Sequence, residues 1–223
     1  ARVKQHPEIL ARMGDAASAY RAHAAADGRA DFNASYGPSP RQFVDIFFSS
    51  AGSDAPLAMF IHGGYWRSLE PAMFSSLARG LNAHGVTVAI AGYDLCPAVG
   101  IGQIIAQMEQ ACLFLWDRFR KPILVHGHSA GGHLATAMLA TDWRKHGAPE
   151  NLVPSAMAIS GLFDLAPLMA TAMNADFKLD EAEAHRLSPL HWPPPAGRML
   201  DAVVGGAESN EFLRQSGAIV ERW

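Results

Sequence analysis

The chain has 223 residues, 49% apolar and 17% charged, with a net charge of −3 and a mean hydropathy of +0.04. This is the composition of one folded domain, not of a disordered segment, and a pI near 6.4 offers no basic field for nucleic acid or an anionic membrane. Cys96 and Cys112 are too few for a disulfide framework. No apolar run reaches the ~18–20 residues of a membrane span, and no signal segment opens the chain. The expectation is therefore a soluble, cytoplasmic protein.

Residues 8–26 are alanine-rich and favour helix. The stretch 27–42 is turn-rich and reads as a link to the body. Strand candidates then follow at 43–48, 57–61, 86–92, 122–127, 153–160 and 199–206. Their continuous apolar runs suit parallel strands covered on both faces. Helices are expected at 71–84, 101–119, 130–145 and 209–222. In the second of these, Ile101, Ile104, Ile105, Met108, Cys112, Leu115, Trp116 and Phe119 form one apolar stripe at steps of three and four. Ser209 is a suitable cap for the last. The alternation predicts a single α/β domain over 1–223, a mostly parallel sheet flanked by helices on both faces. Its site should lie at the carboxyl ends of the strands. Segments 162–173 and 174–187 are candidates for a small helical cap over the cleft.

Gly127-His128-Ser129-Ala130-Gly131 follows a buried strand and precedes an alanine-rich helix. That context makes Gly-x-Ser-x-Gly a nucleophile elbow, with Ser129 on a strained turn and glycines leaving room for neighbouring backbone. His126, His128 and His133 invite a metal reading, but no ligating carboxylate lies near them in sequence, and no metal is expected. His62-Gly63-Gly64-Tyr65-Trp66 directly follows the strand candidate 57–61. Acyl transfer needs preorganised donors for an oxyanion. The backbone N–H groups of Gly64, Tyr65 and Ala130 are the candidates. His62 is expected to brace that loop.

With these residues in view, the chain resembles the α/β-hydrolase superfamily and, within it, the kynurenine formamidase group and its bacterial esterase relatives. The resemblance rests on Tyr36-Gly37, HGGYW at 62–66, Tyr93-Asp94-Leu95-Cys96-Pro97, GHSAGG at 127–132, Ser160 to Leu165, Ser188-Pro189 and the segment from Glu208 to Ser216. It implies a Ser–acid–His triad and hydrolysis of an acyl bond in a small, often aromatic, ester or amide. In this fold the acid follows the nucleophile and the histidine follows the acid. Glu208 meets the position of the acid, in a pattern that usually carries aspartate. Asp164 is the runner-up. Of the ten histidines, none follows Glu208, so the base is expected beyond Trp223, in a strand–loop–helix outside the 223 residues. Trp66, His128 and Phe163 are candidate substrate contacts, with core packing the equal alternative for Trp66 and Phe163 and a structural role the equal alternative for His128.

The expectation is thus a serine hydrolase acting through an acyl-enzyme on small esters or aryl formamides, with no cofactor. Its partner is the small-molecule substrate, and a homodimer is left open. The rivals are a catalytically silent binding protein on the same scaffold and a general short-chain carboxylesterase without formamidase activity.

Overall fold

The computed structural model describes residues 5–223. Seven strands form one sheet in the order β1-β2-β4-β3-β5-β6-β7. They are β1 (Ala30–Ser35), β2 (Phe43–Phe47), β3 (Leu57–Ile61), β4 (Thr87–Ala91), β5 (Ile123–His128), β6 (Ser155–Ile159) and β7 (Met199–Val203). From β4 across to β7 every pairing is parallel. β1 and β2 add an antiparallel edge.

The central strands β3 and β4 are buried at all five positions, as their unbroken apolar runs require of strands covered on both faces. The longer helices are α1 (His6–Ala26), α3 (Ile101–Phe119), α4 (Ala130–Ala140) and α7 (Asn210–Arg222). α3 buries Ile101, Ile104, Met108, Ala111, Cys112 and Leu115, the stripe visible in the sequence. It ends where Arg120 turns left-handed at φ 54°. In α4 ten of the eleven residues are buried, from Ala130 to Leu139, so this helix is the inner wall between sheet and outer helices.

Several expectations need correction. The stretch 27–42 is more than a link, because its residues 30–35 form β1. Strand geometry survives there through an irregularity between Asp31 and Ala34. Asn33 takes φ 58° within it, and its N–H donates to Asp45 at 2.9 Å. Asp45, 1% exposed inside the otherwise apolar β2, also accepts from Arg21 of α1. One buried carboxylate therefore joins the N-terminal helix to the edge of the sheet. Second, the helix expected at 71–84 is a 3-10 turn, Pro71–Leu77, running into a short α2 (Ala78–Ala83). Similarly, 130–145 divides into α4 and a 3-10 turn at Trp143–His146. Third, the proposed cap contains only short elements: α5 (Asn174–Phe177), α6 (Glu181–Leu187), and 3-10 turns at Ala166–Ala170 and Pro189–His191. Proline and a left-handed Lys178 interrupt it. Finally, β5, β6 and β7 are not fully buried but alternate, with Leu124 43%, Met157 40%, Met199 58% and Val203 45% exposed.

Among the described residues, no helix is long and apolar enough to cross a membrane.

Candidate active site

Ser129 sits between the last residue of β5 and the first of α4, with φ 56° and ψ −118°. A non-glycine residue holds such a conformation only when its surroundings impose it. The imposition is steric. A Cβ on Gly127 would stand 2.1 Å from the carbonyl oxygen of Gly131, and one on Gly131 would stand 2.0 Å from that of Ile61. Strand β5, helix α4 and strand β3 therefore touch backbone to backbone, and only glycine fits. The Ser129 N–H donates to Ile159 O at 2.8 Å, which ties the turn to β6 as well. Its side chain lies at the N-terminus of α4, where the helix dipole favours negative charge.

The HGGYW loop leaves the end of β3 and lies against this turn. A Cβ on Gly63 would meet His128 O at 2.7 Å and the Ser129 Cβ at 3.1 Å. Gly64, Tyr65 and Trp66 then all take positive φ, at 101°, 50° and 54°. Three consecutive left-handed residues coil the chain tightly. No acceptor among the described residues takes the N–H of Gly64, Tyr65 or Ala130, as a cradle for an anionic oxygen requires.

His62 holds the loop from beneath. Its Nδ1 lies 2.7 Å from Gly63 O, and its ring stacks between Tyr93, at 4.4 Å, and Phe74, at 5.8 Å. Burial pulls its pKa down to about 4, so the ring is neutral near pH 7. The Tyr93 hydroxyl donates to His62 O at 2.8 Å. Tyr93 and Phe74 were not singled out by sequence chemistry. Tyr93 stood in a motif, but nothing in that motif pointed to a stack under the loop.

Trp66 and Phe163 are corrected as substrate contacts. Trp66 is 0% exposed and packs edge-on against His133 and Phe177, at 5.1 and 5.7 Å. Phe163 is also 0% exposed, its ring folded beneath Gly161. Both turn inward because the loops carrying them need an apolar anchor. A cavity of about 220 Å3 opens instead between Tyr65, Leu162, Leu168, Met173 and Phe212.

The three histidines of the nucleophile segment diverge. The ring of His126 packs on Phe60, on the β5 side of an apolar groove that also holds Leu124 and Met157. His133 points into the core, with Nε2 2.8 Å from Leu187 O. His128 is exposed beside Ser129, where desolvation lowers its pKa and the nearby Glu208 carboxylate opposes that shift. His185 and His191 stack on each other at 4.2 Å, on α6 and the turn after it.

Glu208 lies beyond the carboxyl end of β7, in the turn before α7. Its Oε1 accepts from the Ser160 hydroxyl at 2.5 Å and from the Gly205 N–H at 3.1 Å. Asp164, the runner-up, is engaged elsewhere: Arg214 donates to it at 2.9 Å and the Ala166 N–H at 3.2 Å. Gln215 explains the remaining motif at the start of α7. It is 2% exposed. Its Oε1 accepts from the N–H of Phe163 and Asp164 at 2.6 and 3.0 Å, and its Nε2 donates to Asp164 O at 3.0 Å. This one side chain fastens the chain after β6 to the helix that follows Glu208.

A family model described as alpha/beta hydrolase fold matches residues 58–221, which span the HGGYW loop, the Ser129 turn and the Glu208 turn. The chain belongs to the α/β-hydrolase family. It is 31% identical over 192 residues to kynurenine formamidase of Salmo salar, covering 82% of this chain and 65% of that protein. It is 30% identical over 189 residues to kynurenine formamidase of Danio rerio, covering 81% and 64% respectively. The chain thus spans just under two thirds of these relatives. A protein described as a thioesterase from Silicibacter sp. TM1040 superposes with a TM-score of 0.91 at 35% identity, over 100% of this chain and 84% of that one. Esterase B from Lactobacillus rhamnosis shares the fold, with a TM-score of 0.66 at 20% identity, over 96% and 80%.

Proposed function

We propose that this α/β-hydrolase is a serine hydrolase that cleaves small carboxylic esters or aryl formamides through an acyl-enzyme. The observation that carries this reading is the HGGY loop pressed against the strained Ser129 turn, with three backbone N–H groups left free beside one hydroxyl. The two kynurenine formamidases act on an acyl bond by their names, and the Silicibacter protein carries a thioesterase description.

In this reading Ser129 Oγ attacks the carbonyl carbon while an imidazole takes the hydroxyl proton. The carbonyl oxygen becomes an oxyanion and accepts from the N–H groups of Gly64, Tyr65 and Ala130. Collapse expels the alcohol or arylamine, which leaves with the proton from the imidazolium. Water then attacks the acyl-enzyme with the same imidazole as base, releasing the carboxylic acid, formic acid for a formamide. Glu208 orients the imidazole and balances its charge. None of the ten histidines follows Glu208, and the reading takes the base from a histidine past Trp223. His128 contributes to the cleft wall, and the cavity at Tyr65, Leu162 and Phe212 receives the apolar part of the substrate. The chemistry as written calls for no metal or organic cofactor.

The test is a paired assay of the full-length protein with N-formylkynurenine and p-nitrophenyl acetate, beside Ser129→Ala. The expected result is turnover of at least one substrate, lost by ~10³-fold or more in kcat in the variant, with loss of labelling by a fluorophosphonate. Equal labelling of both proteins overturns Ser129 as the nucleophile, and turnover of neither substrate overturns the reading in favour of a binding protein.

A further inference from the structure

Ser160 directly follows β6, and the acyl-transfer steps above assign it no role. It is 3% exposed. It holds a left-handed φ of 50°, although it is neither glycine nor asparagine, the residues that adopt this conformation most readily. Its N–H donates to Val203 O at 2.6 Å, extending the β6–β7 ladder by one residue. That extra bond turns its side chain across the carboxyl end of β7, and the hydroxyl meets Glu208 Oε1 at 2.5 Å.

We infer that Ser160 is a positioning residue for the acid: its hydroxyl and the Gly205 N–H together pin one oxygen of Glu208 and leave the other to receive the imidazole of the base. Both donors converge on Oε1, and no donor among the described residues reaches Oε2. A glutamate has one more rotatable bond than the aspartate usual at this point of the pattern. Without a clamp its carboxylate would sample several rotamers at an exposed turn. With Oε1 doubly bonded, the side chain has one orientation, and Oε2 is the acceptor that remains. The left-handed backbone at Ser160 fits the same account. Strain that a glycine would relieve is retained where a hydroxyl is used.

This inference rests on the serine-hydrolase reading above, and the experiment separates the two. Ser160→Gly removes the hydroxyl and suits the positive φ, so the fold should be kept. In the full-length protein with p-nitrophenyl acetate, kcat should fall roughly 10- to 100-fold with KM unchanged and the thermal midpoint within a few degrees of wild type. In a Glu208→Gln background the same substitution should cost almost nothing further, because a clamp is worth nothing once the group it positions has lost its charge. Replacement of Ser160 by alanine provides a second route to the same readout if the glycine variant is poorly folded. Wild-type kcat in Ser160→Gly, or equal losses in the wild-type and Glu208→Gln backgrounds, would overturn the inference while leaving the reading intact. Undiminished activity of Ser129→Ala would instead overturn the reading itself.

Discussion

The two walls of the Ser129 cleft are built by different forces. On the wall of the proposed nucleophile, β3, β5 and α4 meet backbone to backbone, and added Cβ atoms at Gly127 and Gly131 would stand 2.1 and 2.0 Å from carbonyl oxygens. On the wall of the proposed acid, β7 is half exposed, and Gly206 and Gly217 have nothing within 4 Å of an added Cβ. Glu208 is oriented there by two hydrogen bonds, and α7 is fastened by Gln215. Exclusion leaves one residue type possible at each critical point. Hydrogen bonding only prefers a geometry, which is why glutamate can stand where the family pattern usually has aspartate.

The contrast breaks first at Gly131. Gly131→Ala should cost about 3 kcal/mol or more, since the intruding methyl meets backbone that cannot rotate away. The urea-unfolding midpoint, or failure to obtain folded protein, reads this out. A variant as stable as wild type would mean that the three elements can part, and that the nucleophile wall is no tighter than the acid wall.

On the acid wall the penalty should fall on rate and not on folding. In the proposed mechanism, Glu208→Gln should reduce kcat of the full-length protein by ~10²- to 10⁴-fold, because the imidazolium would lose its counter-charge, with little change in thermal midpoint. Asp164→Asn should cost less than about tenfold, its carboxylate being committed to Arg214. Reversed effects would move the acid to the end of β6.

Acid pH should attack the nucleophile wall selectively. Burial lowers His62, His126 and His133 to about 4, against about 6.5 in an unfolded chain. Below pH 6.5 the unfolded chain takes up protons that the folded one refuses until about pH 4. Stability is therefore full above pH 6.5 and falls as pH drops through that window. The slope reaches ~1.4 kcal/mol per pH unit for each histidine. Urea midpoints at pH 7, 6 and 5 at constant ionic strength check this, and a flat profile would show these rings to be solvated.

The smallest effect sharpens the contrast from the other side. Gly217 lies inside α7 in open space, so Gly217→Ala should stabilise the protein by about 0.5–1 kcal/mol. A destabilised variant would show that α7 packs more closely than its exposed face indicates.

Local chemistry made much of this molecule readable in advance. The apolar stripe of α3, the buried runs of β3 and β4, and the glycine pattern at 127–131 each follow from short-range rules of periodicity and sterics. The misses came where contacts distant in sequence override local preference. β1 looks like a turn because Asn33 and its neighbours favour turns, yet pairing with β2 and the carboxylate of Asp45 make it a strand. Trp66 and Phe163 stand beside site motifs, but the loops needed apolar anchors more than the cleft needed aromatic walls.

By itself, the sequence determined which residues could be chemical: a serine between obligatory glycines, a carboxylate after the strand candidate at 199–206, a glycine pair to free backbone donors. These are matters of residue type and close spacing, and neighbours within a few positions decide them. Tertiary structure alone decided how those residues are held. The stacking of Tyr93 and Phe74 on His62, the clasp of Gln215 and the hydroxyl of Ser160 on Glu208 join positions 12 to 52 residues apart. Such contacts exist only once the sheet order is set, because it is the crossing of strands that brings their carboxyl ends together.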